Sequence, residues 1–298
     1  MARPQDKLAE SLEALREFQD RGIVAVRSRN LSRTHRERLQ SNGFLKEVMK
    51  GWYIPSRPDE DPGDSTAWSV SFWDFCAAYL RERFDEDWCL SPEQSLSLHT
   101  GNRTVPTQLR VRSPKAGNKP TALPHKTSLF DVRLALPKEE NIVEKDGLRL
   151  YSVPAALVAC SEGFFRQAST DVRAAMSMIN DASDVLAVLL EGGHSIIAGR
   201  LAGAFRNAGR DRVADQIIRT MKNAGYTVLE ADPFKSAPSI VLDTREASPY
   251  VNRIRLMWEE MSGPIIERFP ASKGLPKDIA GYLKQVEEIY VIDAYHSL

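Results

Sequence analysis

Cysteine is scarce in this sequence: the 298 residues include only Cys76, Cys89 and Cys160. Because they are few, odd in number and without CxxC spacing, they argue against a disulfide framework and a zinc knuckle. Scarce, unpaired cysteines are usual in a reducing compartment, so we expect a cytoplasmic protein. Long apolar runs are also missing. No run of about eighteen apolar residues occurs, so we expect no membrane partner.

Motifs of catalytic and metal sites are missing as well. The histidines show no metal-ligand spacing and read as surface or hydrogen-bonded residues: His35, His99, His125, His194 and His296. Ala159-Cys-Ser-Glu-Gly163 is superficially like a GxSxG nucleophile elbow, but a buried helix explains it better. Lys115–Lys119 lacks P-loop spacing. We therefore expect no enzyme, no metal and no cofactor, while an unrecognised catalytic site in residues 88–150 stays open as an alternative.

Opposite charges are segregated along the chain, although its formal net charge is zero. Residues 21–57 contain nine Lys and Arg against two acids, a local charge of +7, and residues 58–90 contain nine acids against two Arg, a local charge of −7. The basic block suggests an anionic partner. The acidic block suggests either a domain boundary or an internal electrostatic counterweight.

The N-terminal residues have the element order of a winged helix-turn-helix. The first helix is predicted to be amphipathic and to end at Arg21-Gly22. The apolar residues that show the helical spacing are Leu8, Leu12, Leu15 and Phe18. A short apolar stretch follows, and Ser32 or Thr34 can cap a helix over residues 33–41. Residues 44–54 then predict two strands joined at Lys50-Gly51, ended by Pro55.

This order predicts a DNA-binding surface. Residues on the second helix suit base edges, those on the hairpin suit phosphates, and two arginines lie in the turn before the helix. The predicted DNA-binding residues are Arg27, Arg29, Ser32, Arg33, Thr34, Arg36, Gln40, Lys46 and Lys50. Glu37 is expected to project from the same helix. The alternative to DNA binding is that these residues form a charged surface on a module that contacts only protein.

The rest of the chain predicts a mixed region followed by helices. A helix near 66–84 precedes strands at 107–112, 130–136 and 148–153, with an exposed loop at 113–124. One helix over about 170–191, capped by Thr170, is followed by two more that end near Gly225. Short strands are expected at 226–229 and 240–242. Further helices are expected from Ser248-Pro249, interrupted at Gly263-Pro264, and from Pro276 onward.

These patterns predict an α+β protein with an N-terminal winged helix-turn-helix, a small mixed α/β middle region and a C-terminal helical bundle. The predicted domains are residues 1–57, 66–152, 153–245 and 246–298, and the Pro/Asp/Gly-rich segment 57–65 is the best boundary. The last helix runs to Leu298 without a polar tail, which predicts that the sequence is cut from a longer protein or is prematurely terminated.

Two stretches resemble AbiEi-type antitoxins. Residues 22–55 end in Leu45-Lys-Glu-Val-Met-Lys-Gly-Trp-Tyr-Ile-Pro55, which is similar to the "x-G-x-Y" strand of their winged helix, with Gly51 and Tyr53 matching. Leu148-Arg-Leu-Tyr-Ser-Val-Pro-Ala-Ala-Leu-Val-Ala159, with the helices up to Gly225, resembles the helical half of the same antitoxins. The resemblance implies a transcription-regulating antitoxin that binds double-stranded DNA.

The C-terminal residues resemble a different family. Tyr282-Leu-Lys-Gln-Val-Glu-Glu-Ile-Tyr-Val-Ile-Asp-Ala-Tyr-His-Ser-Leu298 is similar to the helix that leads into the Fic domain of AMP-transferases. Ser297 matches the first position of their inhibitory Ser/Thr-x-x-x-Glu motif. The Fic active-site motif, His-Pro-Phe-x-Asp/Glu-Gly-Asn-Gly-Arg, is absent from the sequence. The resemblance implies the N-terminal regulatory part of a Fic-type protein adenylyltransferase, without its catalytic core.

The leading hypothesis is therefore a DNA-binding, antitoxin-like regulatory region. It implies a toxin or Fic catalytic domain as partner, in cis or in trans, and a homodimer if the DNA target is palindromic. The alternative is a protein-interaction module that docks and restrains such a catalytic domain without binding DNA.

Overall fold

The chain is α+β, as its sequence predicts. The computed structural model describes residues 3–61, 63–234, 248–270, 274 and 277–296. The chain divides into two compact units, Met1–Leu256 and Met257–Leu298. None of the helices in the described ranges is long and apolar enough to cross a membrane.

The N-terminal segment has the element order that its sequence predicts. Its elements are α1 (Pro4–Asp20), β1 (Val26–Arg27), a 3-10 turn (Ser28–Asn30), α2 (Arg33–Ser41), β2 (Leu45–Met49) and β3 (Trp52–Pro55). The strands form an antiparallel sheet in the order β1-β3-β2. Leu15 of α1 and Leu39 of α2 belong to one small buried core, together with Val26, Leu31 and Leu45. The core forms because the apolar residues recur at helical spacing on α1.

The middle region has more elements than its sequence predicts. They are α3 (Thr66–Phe84), β4 (Cys89–Leu90), α4 (Pro92–His99), β5 (Gln108–Ser113), β6 (Pro120–Ala122), β7 (Ser128–Arg133), a 3-10 turn (Glu139–Asn141), β8 (Ile142–Lys145) and β9 (Leu148–Tyr151). One sheet has the order β4-β5-β7-β6, with β5 and β7 parallel, and β8 pairs with β9. The exposed loop expected at 113–124 is wrong in part, because β6 pairs with β7 there and Ala116 and Leu123 are buried.

The hairpin of the N-terminal segment and helix α3 share a hydrophobic core. The Trp52 ring lies edge-on to Phe75, with centroids 5.7 Å apart, and to Tyr79, at 6.0 Å. Ala25 and Ile54 belong to the same buried cluster as the apolar face of α3. The described residues of the segment 56–65 contain no helix or strand, and the buried cluster that joins Trp52 and Ile54 to α3 packs across the expected boundary.

The helical region runs from α5 to α10. Its helices are α5 (Val153–Ala159), α6 (Glu162–Gln167), α7 (Ser169–Ser177), α8 (Ala182–Gly192), α9 (Ser195–Asn207) and α10 (Asp211–Asn223). The single helix expected over 170–191 is wrong, since α7 and α8 are separate and Thr170 lies inside α7. The Asp181 side chain caps α8 by accepting from the Ser183 N–H at 2.8 Å, and this local bond competes with helix continuation. Gly193 ends α8 in a left-handed conformation, with φ of 63°.

Three expectations for the remaining residues have different outcomes. The strand expected at 226–229 is wrong, because these residues follow α10 without pairing into a sheet. The interruption expected at Gly263-Pro264 is also wrong, because α11 (Pro249–Arg268) includes Pro264. The strand expected at 240–242 lies outside the described residues. Helix α12 spans Ile279–His296.

Candidate nucleic-acid interface

Helix α2 carries the central part of the predicted DNA-binding surface. Ser32 caps it, since its hydroxyl accepts a hydrogen bond from the His35 backbone N–H at 3.2 Å. This bond satisfies one of the free N–H groups in the first turn, which explains why the helix begins here. Arg33 and Thr34 are exposed directly after the cap. Ser32 therefore has a structural role and presents its two neighbours to the outside.

The opposite side of α2 is tied to α1. Arg38 Nη1 donates to the Lys7 carbonyl oxygen at 2.6 Å and to Ser11 Oγ at 2.8 Å. The His35 ring nitrogen Nδ1 lies 2.9 Å from the same hydroxyl. Leu39 is completely buried below these polar contacts. Because α2 is anchored along this side, its exposed side has a fixed orientation.

Arg33 forms an ion pair within its own helix. Its Nε lies 2.6 Å from Glu37 Oε1, one helical turn away, and the two side chains are 82% and 59% exposed. The hydrogen bond from Arg33 lowers the pKa of Glu37, so this carboxylate is ionised at neutral pH. Water surrounds both groups and screens their attraction. Arg33 can therefore exchange Glu37 for a phosphate at small cost.

Arg36 does not project outward as the sequence predicts. Its side chain is half-buried, its Nη1 donates to the Ser28 carbonyl oxygen at 3.2 Å, and its guanidinium lies 5.6 Å from the centre of the Tyr53 ring. The contacts connect α2 to the 3-10 turn and to strand β3. Gln40, four residues further along α2, is also half-buried. The outward surface of α2 is thus narrower than expected.

The arginines before α2 both contact one glutamate of helix α3. Arg27 Nη2 lies 2.6 Å from Glu82 Oε1, and Arg29 Nη2 lies 3.0 Å from Glu82 Oε2. Arg27 also donates to the Gly51 carbonyl oxygen at 3.1 Å and stacks over Trp52 at 4.7 Å. Arg27 is three-quarters buried, whereas Arg29 is 69% exposed. Arg27 is therefore part of the structure, and Arg29 stays accessible to a ligand.

The hairpin presents one of its two lysines freely. Lys46 forms an ion pair with Glu60, whose side chain is 6% exposed. Lys50 is exposed at the turn between β2 and β3. The turn requires glycine at position 51, where φ is +79°, and Gly51 accepts a hydrogen bond from the Ser28 N–H at 3.0 Å. This bond brings the hairpin tip beside the turn that precedes α2.

The acidic block is an internal counterweight to the basic block. Glu60 and Glu82, both from residues 58–90, neutralise three of the predicted DNA-binding cations, and sequence reasoning did not single out either glutamate. The one feature of the sequence that points to these glutamates is the reversal of charge at residue 58. Arg29, Arg33 and Lys50 are then the predicted cations that are exposed and not paired with a buried carboxylate.

Motifs set aside in the sequence form no catalytic arrangement in the described residues. Ser161 lies between helices α5 and α6, whereas a nucleophile elbow requires a strand before the serine. Burial raises the pKa values of the Cys76, Cys89 and Cys160 thiols, to about 12 for Cys89. Protonated, buried thiols are poor nucleophiles. Within the described ranges, no three His, Cys, Asp or Glu side chains are grouped in a way that could hold a metal ion.

No protein-family model matches the chain, and no curated protein matches it significantly.

Proposed function

We propose that residues 3–55 form a winged helix-turn-helix that binds double-stranded DNA. The observation that carries this proposal is the exposed N-terminal turn of α2, with Arg33 and Thr34, next to a hairpin tip with Lys50. The α1-β1-α2-β2-β3 order and the β1-β3-β2 sheet support it, since a recognition helix and a wing require this order.

In this proposal α2 enters the major groove with its N-terminal turn. Arg33 donates to guanine or to phosphate oxygens, and Thr34 contacts base edges. Lys50 and Arg29 contact the backbone on either side. Ser32 and Arg36 hold the helix and the turn in place instead of binding DNA themselves, and Arg27 and Lys46 contribute little because Glu82 and Glu60 neutralise them.

The test measures binding of the full chain to a fluorescent duplex by anisotropy. We expect Arg33→Ala combined with Lys50→Ala to weaken binding about tenfold or more at low salt and to reduce the salt slope by about two. Arg219→Ala combined with Lys222→Ala is the matched control. These two residues lie on α10, away from the proposed surface in sequence, and their substitution removes the same two positive charges. Binding that does not weaken with salt, or that both double variants weaken equally, would overturn the proposal.

A second candidate function is protein docking, which rests on the exposed apolar residues of the last two helices. On α11 and just after it, Trp258, Ile266 and Phe269 are 59%, 71% and 74% exposed. On α12, Ile279, Tyr282, Leu283, Val286 and Ile289 are between 41% and 58% exposed. Exposed apolar residues of this density are typical of surfaces that bind a partner. A module that only docks would give no anisotropy change with duplex DNA at low salt.

Both proposals fit the antitoxin-like regulatory region that the resemblances imply. We propose a toxin or Fic-type catalytic domain as the docked partner, and a homodimer on palindromic DNA. A reducing compartment such as the cytoplasm is part of the proposal, because Cys76, Cys89 and Cys160 are all free thiols and all buried.

A further inference from the structure

A cavity of about 550 Å³ lies among helix α6, helix α9 and the segment that follows α10. This volume is in the range of small-molecule sites, about 300–1,000 Å³. Most of its lining surface is apolar, with Ile196, Leu229, Ala231 and Pro233 as the apolar residues. The cavity is far along the chain from the proposed DNA-binding residues, and the proposed function does not use it.

Two glycines of α9 shape this cavity. A Cβ atom at Gly199 would overlap with the Leu229 carbonyl oxygen, and one at Gly203 with that of Ala231. The Ala231 N–H donates to the Gly199 carbonyl oxygen at 3.1 Å. Glycine therefore allows the segment after α10 to lie directly on α9 and form one wall of the cavity. Ile196 and Leu229 remain 84% and 81% exposed, which leaves apolar surface available at the cavity.

Most of the charged groups that line the cavity already have partners. Arg166 Nη1 lies 2.7 Å from Glu162 Oε1, one turn away on α6. Asp232 accepts hydrogen bonds through both oxygens, from the Phe234 N–H at 2.8 Å and from Asn207 Nδ2 at 3.0 Å. The remaining charged residue of the lining is Arg200. Neither the Glu162 nor the Asp232 carboxylate lies within 4.0 Å of its guanidinium.

Arg200 is a partly buried cation without a carboxylate within 4.0 Å in the described part of the chain. Its Nη2 donates to the Cys160 carbonyl oxygen at 2.8 Å, and its guanidinium lies 4.8 Å from the centre of the Phe165 ring. Its Nε is buried and has no hydrogen-bond partner. Burial lowers the pKa of Arg200, in keeping with a charge that its surroundings do not fully compensate. A buried donor without an acceptor is costly, so the guanidinium as a whole has fewer hydrogen bonds than it can make. An anionic oxygen that reaches the guanidinium from the cavity would add charge-assisted hydrogen bonds.

We propose that this cavity binds a small molecule with an apolar body and a single carboxylate, which accepts hydrogen bonds from Arg200. The apolar residues contact the body of the ligand, and the Arg200 guanidinium, which has no carboxylate within 4.0 Å in the described residues, donates to the ligand carboxylate. A phosphate ester or a nucleotide fits less well, because it carries more charge and polar groups than one arginine and an apolar lining can satisfy.

The test titrates the full chain with octanoate and with octanamide, a neutral molecule of similar shape, by calorimetry and by NMR. We expect saturable octanoate binding with shift changes in residues 195–200 and 227–233. Octanamide should bind at least tenfold more weakly. Arg200→Met should lower octanoate affinity about tenfold and leave octanamide affinity nearly unchanged, whereas Arg219→Met removes the same charge on α10 and should have no effect.

A second variant keeps the test valid if Arg200→Met does not fold. Leu229→Trp fills the cavity at an exposed position and should block both ligands while the circular dichroism spectrum is unchanged. The proposal is overturned if octanoate does not saturate, if octanamide binds equally well, or if Leu229→Trp leaves octanoate binding intact.

Discussion

Glu82 forms ion pairs with two arginines of the predicted DNA-binding surface. Its two carboxylate oxygens face Arg27 and Arg29, at 2.6 and 3.0 Å. Arg29 is mostly exposed, so removing the glutamate charge ends the competition between Glu82 and a phosphate for this guanidinium. We expect Glu82→Gln to raise the affinity for duplex DNA several-fold at low salt and to make the salt dependence steeper.

The matched control for this prediction is Glu86→Gln. Glu86 is exposed close to the end of the same helix and gives the same change in net charge. If both variants raise the affinity equally in the anisotropy assay, the effect is one of net charge and not of released arginines.

His99 makes the stability of the chain depend on pH. Burial lowers its pKa, and its Nε2 lies 2.8 Å from the Tyr151 carbonyl oxygen, to which it donates when the ring is neutral. In the unfolded chain the His99 ring has the ordinary pKa of histidine, about 6.5. As the pH falls through this value, the unfolded chain binds a proton that the folded chain does not bind. The free energy of unfolding therefore decreases toward acid pH, and the contribution of His99 to it is complete above about pH 7.

Thermal unfolding between pH 7.5 and 5.5 tests this pH dependence. We expect His99→Gln to be destabilised by about 1 kcal/mol at pH 7.5, because a flexible amide replaces a ring that is held in place to donate to the Tyr151 carbonyl oxygen. Its melting temperature should then fall less toward acid than that of the unsubstituted chain. His194→Gln, at an exposed position, should keep the original pH dependence; an equal loss of dependence in both variants would contradict the assignment to His99.

Helix α9 depends on glycine where the chain crosses it. Because a Cβ at Gly199 would overlap with the Leu229 backbone, we expect Gly199→Ala to destabilise the protein by about 1–3 kcal/mol. At Gly163 on α6 no atom in the described chain lies within 4 Å of an added Cβ. Gly163→Ala should therefore be neutral or stabilising by up to about 1 kcal/mol. Urea denaturation measures both, and equal effects would rule out the close approach.

Helix boundaries were predictable where the sequence offers capping residues. Ser32, one of the two candidate caps, begins α2, and Gly193 of the Gly192-Gly193 pair ends α8. The break between α7 and α8 was missed, because the apolar spacing continues through Met176 and Ile179 while the Asp181 side chain caps a new helix. Local capping thus prevailed over a continuous apolar pattern.

Helix α3 connects the N-terminal segment to the rest of the first unit. Phe75 is completely buried and contacts Trp52 of the hairpin as well as Trp68 and Tyr79 of its own helix. We expect Phe75→Ala to cost about 3–5 kcal/mol and to lower hydrogen-exchange protection in both the β2–β3 hairpin and the β5–β7 pair.

The control for Phe75→Ala is Val70→Ala on the same helix. Val70 is 74% exposed, and its substitution should change stability by no more than about 0.5 kcal/mol. If Phe75→Ala lowers protection in the hairpin alone, residues 3–55 unfold independently of the middle region, and the domain boundary expected at 57–65 is also a boundary of cooperativity.

The sequence by itself determined the α+β class and the order of the N-terminal elements. It also narrowed the cap of α2 to Ser32 or Thr34 and placed the turn of the hairpin at Lys50-Gly51. These features depend on apolar spacing and on turn chemistry over a few residues, which a sequence displays directly. The tertiary structure decided which cations remain accessible. Arg27 and Arg29 meet Glu82 from more than fifty positions away, and Lys46 meets Glu60 across the hairpin. Ion pairs of this kind depend on distance in space, so no local pattern reveals them.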